Sequence, residues 1–527
     1  MSEYTAISFA PVQGFIEKSR KLRDLFGASL LLSHLSFQLV EKAVKLVGKE
    51  NVISPALINV QKGMPNRILV KGNFSRNDVT NTLQKSWRQI LEECQFWIEK
   101  KIPNYQYDWQ QEWMRWGLYS WEIFWGQGDS IETAINDLEN RKLRRDWTAL
   151  NWIGESSSLT GTDAIAWPGL GRENHTPGMR LSEKEQPEIK EFYQLLSRVL
   201  ENLTPDDSTE PEGKFLAPNE RLSIPELVKR LVTRDEDIAR NLGMSSLDKG
   251  FTDIVREPGH WTGWFMGDGD QVGDKLKEIS KQEKGDENLK KFSNTVREWG
   301  RSFEKDFPKQ NPGRIVYAGG DDFLGVIYSE QSEQKISAKN TLDLLIKLPE
   351  QWVNLRNDLK DSLKVDFTFS VGFVWAGHSV PQRDVLQHCR EAEKRAKILG
   401  RDRVTIRVLF NSGQYVQWTC PWHELGILKK YKDRDGKTGG KNPNWTHIYS
   451  DWEYLKSRHS IPLKVSKRDD TDVDDSLAID LFNLYFNEEG NRISKDREKI
   501  VGNSSNKELI NWMDGLIHIG WQLCSNI

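Results

Sequence analysis

Four aspartates in two distant segments carry the chemistry legible in this sequence. Asp268 and Asp270 close the apolar run Gly263-Trp264-Phe265-Met266-Gly267-Asp268-Gly269-Asp270. Asp321 and Asp322 lie between two apolar runs in Arg314-Ile315-Val316-Tyr317-Ala318-Gly319-Gly320-Asp321-Asp322-Phe323-Leu324-Gly325-Val326-Ile327-Tyr328. Gly319 and Gly320 permit a tight bend, so the second segment reads as a β-hairpin. Two adjacent carboxylates at its tip repel each other unless a cation is present. Taken alone, Gly-Gly-Asp-Asp is an ordinary turn. The acid-ended strand at Asp268 changes the reading, because side by side the strands bring Asp268, Asp321 and Asp322 to one sheet edge. Such an oxygen cluster suits Mg²⁺ or Mn²⁺ and in-line phosphoryl or nucleotidyl transfer.

The flanking residues fit a nucleotide cradle. The turn from Gly269 to Gly273 leads into a helix with Val272, Leu276 and Ile279 inward, whose first N–H groups can face phosphates. Asp270 is either a further ligand or a cap for that helix. Lys275, Lys397 and Arg401 are candidate phosphate contacts, and each also reads as a plain surface charge. Neither a Walker lysine motif nor a dinucleotide fingerprint is present.

The elements that must position these groups follow in a set order. Thr368-Phe369-Ser370-Val371-Gly372-Phe373-Val374 reads as a strand, and Val385, Leu386, Cys389, Ala392 and Ala396 fall at helical spacing over 383–399. Gly400 can end that helix, and Arg401-Asp402-Arg403-Val404-Thr405-Ile406 begins another strand. The order is strand, helix, hairpin with carboxylates, helix, strand, helix, strand. It resembles the palm domain of GGDEF-type dinucleotide cyclases and class III nucleotide cyclases. That family has a first-strand Asp, a Gly-Gly-Asp turn, a Ser-Val-Gly strand and a closing Ala-Lys-x-x-Gly-Arg-x-Arg, here Ala396 to Arg403.

Bulk properties set the frame. A chain of 527 residues should hold about three or four domains. No run approaches the ~18 apolar residues of a membrane helix, and the first residues carry no secretory pattern, so a cytoplasmic protein without membrane contact is expected. The net charge of −3 argues against a generally basic nucleic-acid coat. The four cysteines, Cys94, Cys389, Cys420 and Cys524, are far apart and fit reduced thiols. Of 21 tryptophans, several cluster over 109–125, as core and interface packing would have them.

Toward the N-terminus a strand over 4–9 precedes a long helix with a basic face (Ser19-Arg20-Lys21-Leu22-Arg23), read as solvated. A hairpin follows, with strands at 56–60 and 67–71 and no carboxylates in its turn, then helices over 78–105 and a strand near 120–125. This repeats the central pattern without metal ligands. Pro11-Val12-Gln13-Gly14-Phe15-Ile16, Met64-Pro65-Asn66-Arg67 and Glu220-Arg221-Leu222-Ser223-Ile224-Pro225-Glu226-Leu227-Val228-Lys229-Arg230 resemble the large palm-containing subunit of type III CRISPR effector complexes, in its III-B-like branch.

That resemblance implies an α+β protein with two ferredoxin-like palms: a degenerate first palm over 1–150, a connecting region over 151–258, a second palm over 259–409, and a C-terminal helical domain over 410–527. It implies ATP as substrate, cyclic oligoadenylate as product, and partner subunits that carry CRISPR RNA and target RNA. Two departures stand out. The chain starts at the first palm and holds no His-Asp dipeptide, so the resemblance gives no ground for HD-type nuclease activity. Where the family carries a zinc knuckle, Ser157-Ser158-Leu159-Thr160-Gly161 has no thiolate, so no structural zinc is expected. The loop at 429–441 reads as exposed, and the acidic run at 469–475 as capping for a helix over 476–486. Two rival readings remain at this point: a stand-alone dinucleotide cyclase, and a catalytically silent scaffold subunit.

Overall fold

The computed structural model describes the chain except residues 1–2, 56–62, 64, 145–151, 173–178, 205–207, 218, 246, 248–250, 332, 434–443, 462–473 and 526–527. The expected strand at 56–60, most of the loop at 429–441 and most of the acidic run at 469–475 therefore lie outside the described residues. Two compact units emerge, one of residues 1–253 with 273–301, the other of 254–272 with 302–527. The protein is α+β with two sheets. None of its described helices is long and apolar enough to cross a membrane.

The first unit is built on β1 (Tyr4–Ala10), β2 (Val52–Ser54), β3 (Arg67–Lys71) and β4 (Glu122–Gly128), in the order β2-β3-β1-β4 and antiparallel throughout. Its central strand β1 is buried along nearly its whole length, with Ile7 facing Ile68 on one side and Trp125 on the other. A 26-residue helix, Leu22–Val47, carries the connection from β1 to β2. The basic face expected there to be solvated is buried at its start: Arg23 and Asp24 are 3% and 2% exposed. The reason is an internal ion network. Arg230, itself 1% exposed, donates to Asp24 (2.9 Å) and Glu220 (2.7 Å), and Arg23 pairs with Asp253 at 3.1 Å. Ser157 and Thr160, in the stretch similar to the knuckle, donate hydroxyls to Glu226 at 3.2 and 2.8 Å.

The second unit holds β5 (Thr262–Gly269), β6 (Arg314–Ala318), β7 (Asp322–Ile327), β8 (Phe369–Ala376), β9 (Arg403–Leu409) and β10 (Tyr415–Pro421), ordered β10-β9-β8-β5-β7-β6. Within it, β8-β5-β7-β6 repeats the topology of the first sheet. The helix Gln382–Ile398 crosses from β8 to β9, making that pair parallel. The sheet does not stop at Leu409: β10 pairs antiparallel with β9 from Leu409↔Tyr415 to Arg403↔Pro421. Helices then follow, ending with Asn506–Cys524, whose Trp512 indole donates to Thr419 O of β10 at 2.7 Å.

Candidate active site

Burial along β5 and β7 decides what sits at their shared end. Trp264, Phe265, Phe323, Leu324 and Val326 are all buried, which pins the register. In that register Asp268 lies directly across from Asp322 on β7 and from Ser370 on β8. Asp321 precedes Asp322 in the turn, its carbonyl accepting from Gly269 N at 2.7 Å. Gly319 N donates to Asp322 O at 2.9 Å and closes the bend. Thus three carboxylates from segments over fifty residues apart reach one strand end, as the sequence reading expects. Their oxygens are not drawn into a ligand shell here, because Asp268 is turned toward a cation.

That cation is Lys397. It stands near the end of the Gln382–Ile398 helix and forms ion pairs with Asp268 and, at 2.7 Å, with Glu393 one turn earlier. Burial, with the Arg401 guanidinium nearby, pulls the Lys397 ammonium down to about 8. Burial and the negative field of Asp270 push Glu393 up to about 7. Asp322 is also raised to about 7, by the surrounding protein and by Asp321 beside it. Its side chain keeps a face open to solvent, so the like charge of Asp321 is the sturdier of those two causes.

Asp270 has a different part from either expected for it. It is 1% exposed, and its oxygens accept from Thr368 Oγ1 (2.7 Å), Ser370 Oγ (2.7 Å) and Asp402 N (3.0 Å). Its own N–H donates to Thr368 O. A carboxylate so fully engaged is a latch joining the end of β5 to β8 and to the turn before β9. It fixes that turn, where Arg401 and Asp402 both take left-handed φ (64° and 48°) uncommon for side-chain-bearing residues. Arg401 is thereby carried at the site end of the sheet. Because Gly269 and Asp270 spend their N–H groups on protein carbonyls, neither offers a free donor to a phosphate. Gly273 and Lys275 belong to the helix Val272–Ser280, which continues from β5.

Sequence reasoning missed Glu393, Thr368 and Ser370. Glu393 was findable: a Glu four residues before a Lys on a helix is a favoured pair. The two hydroxyls depend on strand register, which no local pattern shows.

Comparisons with known proteins agree on one family. Residues 262–405 match the family model described as Cas10/Cmr2, second palm domain, and residues 4–71 match CRISPR-associated protein Cmr2, N-terminal. A curated relative, the CRISPR system Cmr subunit Cmr2 of Pyrococcus furiosus, is 25% identical over 210 residues. These matches support a type III large subunit of the Cas10/Cmr2 kind. The match to the Pyrococcus relative spans 37% of this chain and 23% of that protein. In fold, the chain is similar to a subunit of the type III-B Cmr-beta complex in its apo state (TM-score 0.53, 11% identity, 98% of this chain and 82% of that one). It is likewise similar to a chain of Cmr-beta bound to cognate target RNA (TM-score 0.52, 12% identity, 98% and 83%). The Cas10/Cmr2 match over 262–405 contains Asp268, Asp321, Asp322, Lys397 and Arg401.

Proposed function

We propose that this Cas10/Cmr2 chain is the large subunit of an RNA-guided type III CRISPR effector complex and joins ATP into cyclic oligoadenylate when target RNA is held. The observation that carries the reading is the register that sets Asp268 against Asp322, with Asp321 adjoining, at the open end of a palm sheet. The donors are hard carboxylate oxygens, and Asp322 is raised by the surrounding protein and by the like charge of Asp321, an electrostatic setting that fits a divalent cation. Mg²⁺ or Mn²⁺ held by Asp268, Asp321 and Asp322 would supply acidity to the attacking hydroxyl and neutralise charge on the phosphates.

The chain's own residues do the rest. Gly319 and Gly320 present backbone without side chains beside the carboxylates, leaving room for a phosphate. Lys397 and Arg401 bring positive charge to the same end, where the triphosphate's charge has to be met. In the reaction a 3′-hydroxyl of one ATP attacks the α-phosphorus of another, an O–P bond forms, and pyrophosphate departs. A final attack by the chain's terminal 3′-hydroxyl on the α-phosphorus of its own 5′-triphosphate closes the ring and releases the last pyrophosphate. Partner subunits would hold CRISPR RNA and target RNA, since the net charge of −3 gives this chain no general affinity for polyanions.

The test is to purify the chain with its complex, add matching target RNA and Mg²⁺, and resolve products from ATP and from GTP separately. Cyclic oligoadenylate from ATP alone is the expected result. A product from GTP alone would point to a dinucleotide cyclase, and RNA binding without any product would leave a scaffold.

A further inference from the structure

The ammonium of Lys397 is shared by two carboxylates in unlike settings. Outward lies Asp268, about a third exposed and a member of the acidic edge. Inward lies Glu393, 9% exposed, 2.7 Å from Nζ and four residues back on the same helix. Gly372 is what sinks Glu393. A Cβ at that position would fall 2.1 Å from Cys389 O and 2.5 Å from Glu393 N, so the helix backbone lies directly on β8. Among the described residues Lys397 is the cation within ion-pair reach of Glu393, and Glu393 Oε1 has no well-directed hydrogen-bond donor. A carboxylate so buried and so thinly partnered is costly unless its cation is secured there.

An ammonium and a divalent cation compete for Asp268, because two positive centres on one carboxylate repel each other at such range. We infer that Glu393 is a positioning residue: it receives Lys397 when a divalent cation takes Asp268. Lys397 then alternates between two stations. Without the ion it fills the acidic edge and quiets its self-repulsion. With the ion it is retained on Glu393, one helical turn away, its charge still beside the edge. The inference rests on the nucleotidyl-transfer reading of that edge, and goes beyond it by assigning Glu393 and a competing role to Lys397.

Mn²⁺ alone, titrated into the full-length chain and followed by electron paramagnetic resonance, tests both layers. Asp321→Ala with Asp322→Ala should abolish the tight Mn²⁺ site. If Mn²⁺ binding is indifferent to that pair, the edge reading fails and this inference falls with it. Given a site that responds, Lys397→Met should tighten Mn²⁺ by about tenfold by removing the competitor, and Glu393→Gln should weaken it by about tenfold by stranding Lys397 on Asp268. The deciding arm is the double variant Glu393→Gln/Lys397→Met, expected to match Lys397→Met alone. Equal weakening by Glu393→Gln in both backgrounds would reduce Glu393 to one more negative charge and overturn the assignment. No tightening in Lys397→Met would overturn it too, and that arm stands even where Glu393→Gln does not fold.

Discussion

Four strands of the second sheet repeat the order of the first, and the two sheets part at the opposed pair that closes their central strands. In the second sheet the central strand β5 meets the first residue of β7 as Asp268 opposite Asp322. In the first, β1 meets the first residue of β3 as Ser8 opposite Arg67. Arg67 is ion-paired to Glu139 of the helix Ile131–Leu143, and Asn66 donates to Phe9 O at 3.1 Å, so that strand end is neutralised and tied into its own unit. The same topology therefore supports two electrostatic outcomes. One end satisfies its charges internally. The other pairs Asp268 with Lys397 yet keeps Asp321 and Asp322 side by side, a local conflict that a fold retains where an outside partner resolves it. The lesson is that topology supplies the address, and one opposed pair decides whether a cation is wanted there.

The comparison breaks most sharply at the acidic end. Asp321→Ala with Asp322→Ala should lower cyclic oligoadenylate formation in the RNA-bound complex by about 10³-fold or more. Unfolding free energy should stay within about 0.5 kcal/mol, since the pair is at a solvent-facing tip and its removal relieves repulsion. Product assays and denaturant melts on one preparation check both halves. Loss of fold would make the turn structural.

Next comes the first unit, whose charges are spent on stability. Truncating Arg230 to Ala leaves Asp24 and Glu220 buried without their shared guanidinium, and should cost about 3–5 kcal/mol. Hydrogen exchange should show the loss in residues 1–253 before it reaches β5 to β10. An intermediate effect is expected at Asp270, where Asn keeps the shape and removes charge. It should cost about 2–3 kcal/mol through the weakened bonds from Thr368, Ser370 and Asp402 N. Faster exchange at the 400–402 turn should accompany that loss. Unchanged stability with lost activity would instead make Asp270 a ligand.

Much of this was legible from sequence because apolar runs and turn residues are local signals. The paired strands around Gly319-Gly320, the helix over Gln382–Ile398 and the convergence of Asp268 with Asp322 all followed from period and order. What stayed hidden depends on distant partners. Arg23 and Asp24 looked like a solvated face because Asp253 and Arg230, some two hundred residues on, cannot be placed by periodicity. Asp270 read as either a ligand or a helix cap because of its acidic neighbours and the helix after it; only register brings Ser370 and Thr368 to it. The strand Tyr415–Pro421 was absorbed into a helical tail although the turn Asn411-Ser412-Gly413, with Gly413 at φ 81°, is an ordinary hairpin signal between it and β9.

The smallest expected effect isolates the adjacent acids Asp321 and Asp322. Asp322 holds its proton up to about 7 in the folded chain, whereas an unfolded aspartate releases it near about 3.9. Between those values the native state binds more protons than the unfolded one, so stability falls as pH rises through that window, and the deficit is complete above it. Asp322→Asn removes the titration. Its melting temperature relative to the parent should be near zero at pH 4, grow through pH 6, and level off by pH 8, with a ceiling of a few degrees because solvent screens the tip. Arg67→Asn in the first sheet should show no rise of this kind, having no carboxylate opposite it. A pH-independent offset at Asp322 would mean that Asp321 and Asp322 do not feel each other, and the contrast between the two strand ends would lose its electrostatic basis.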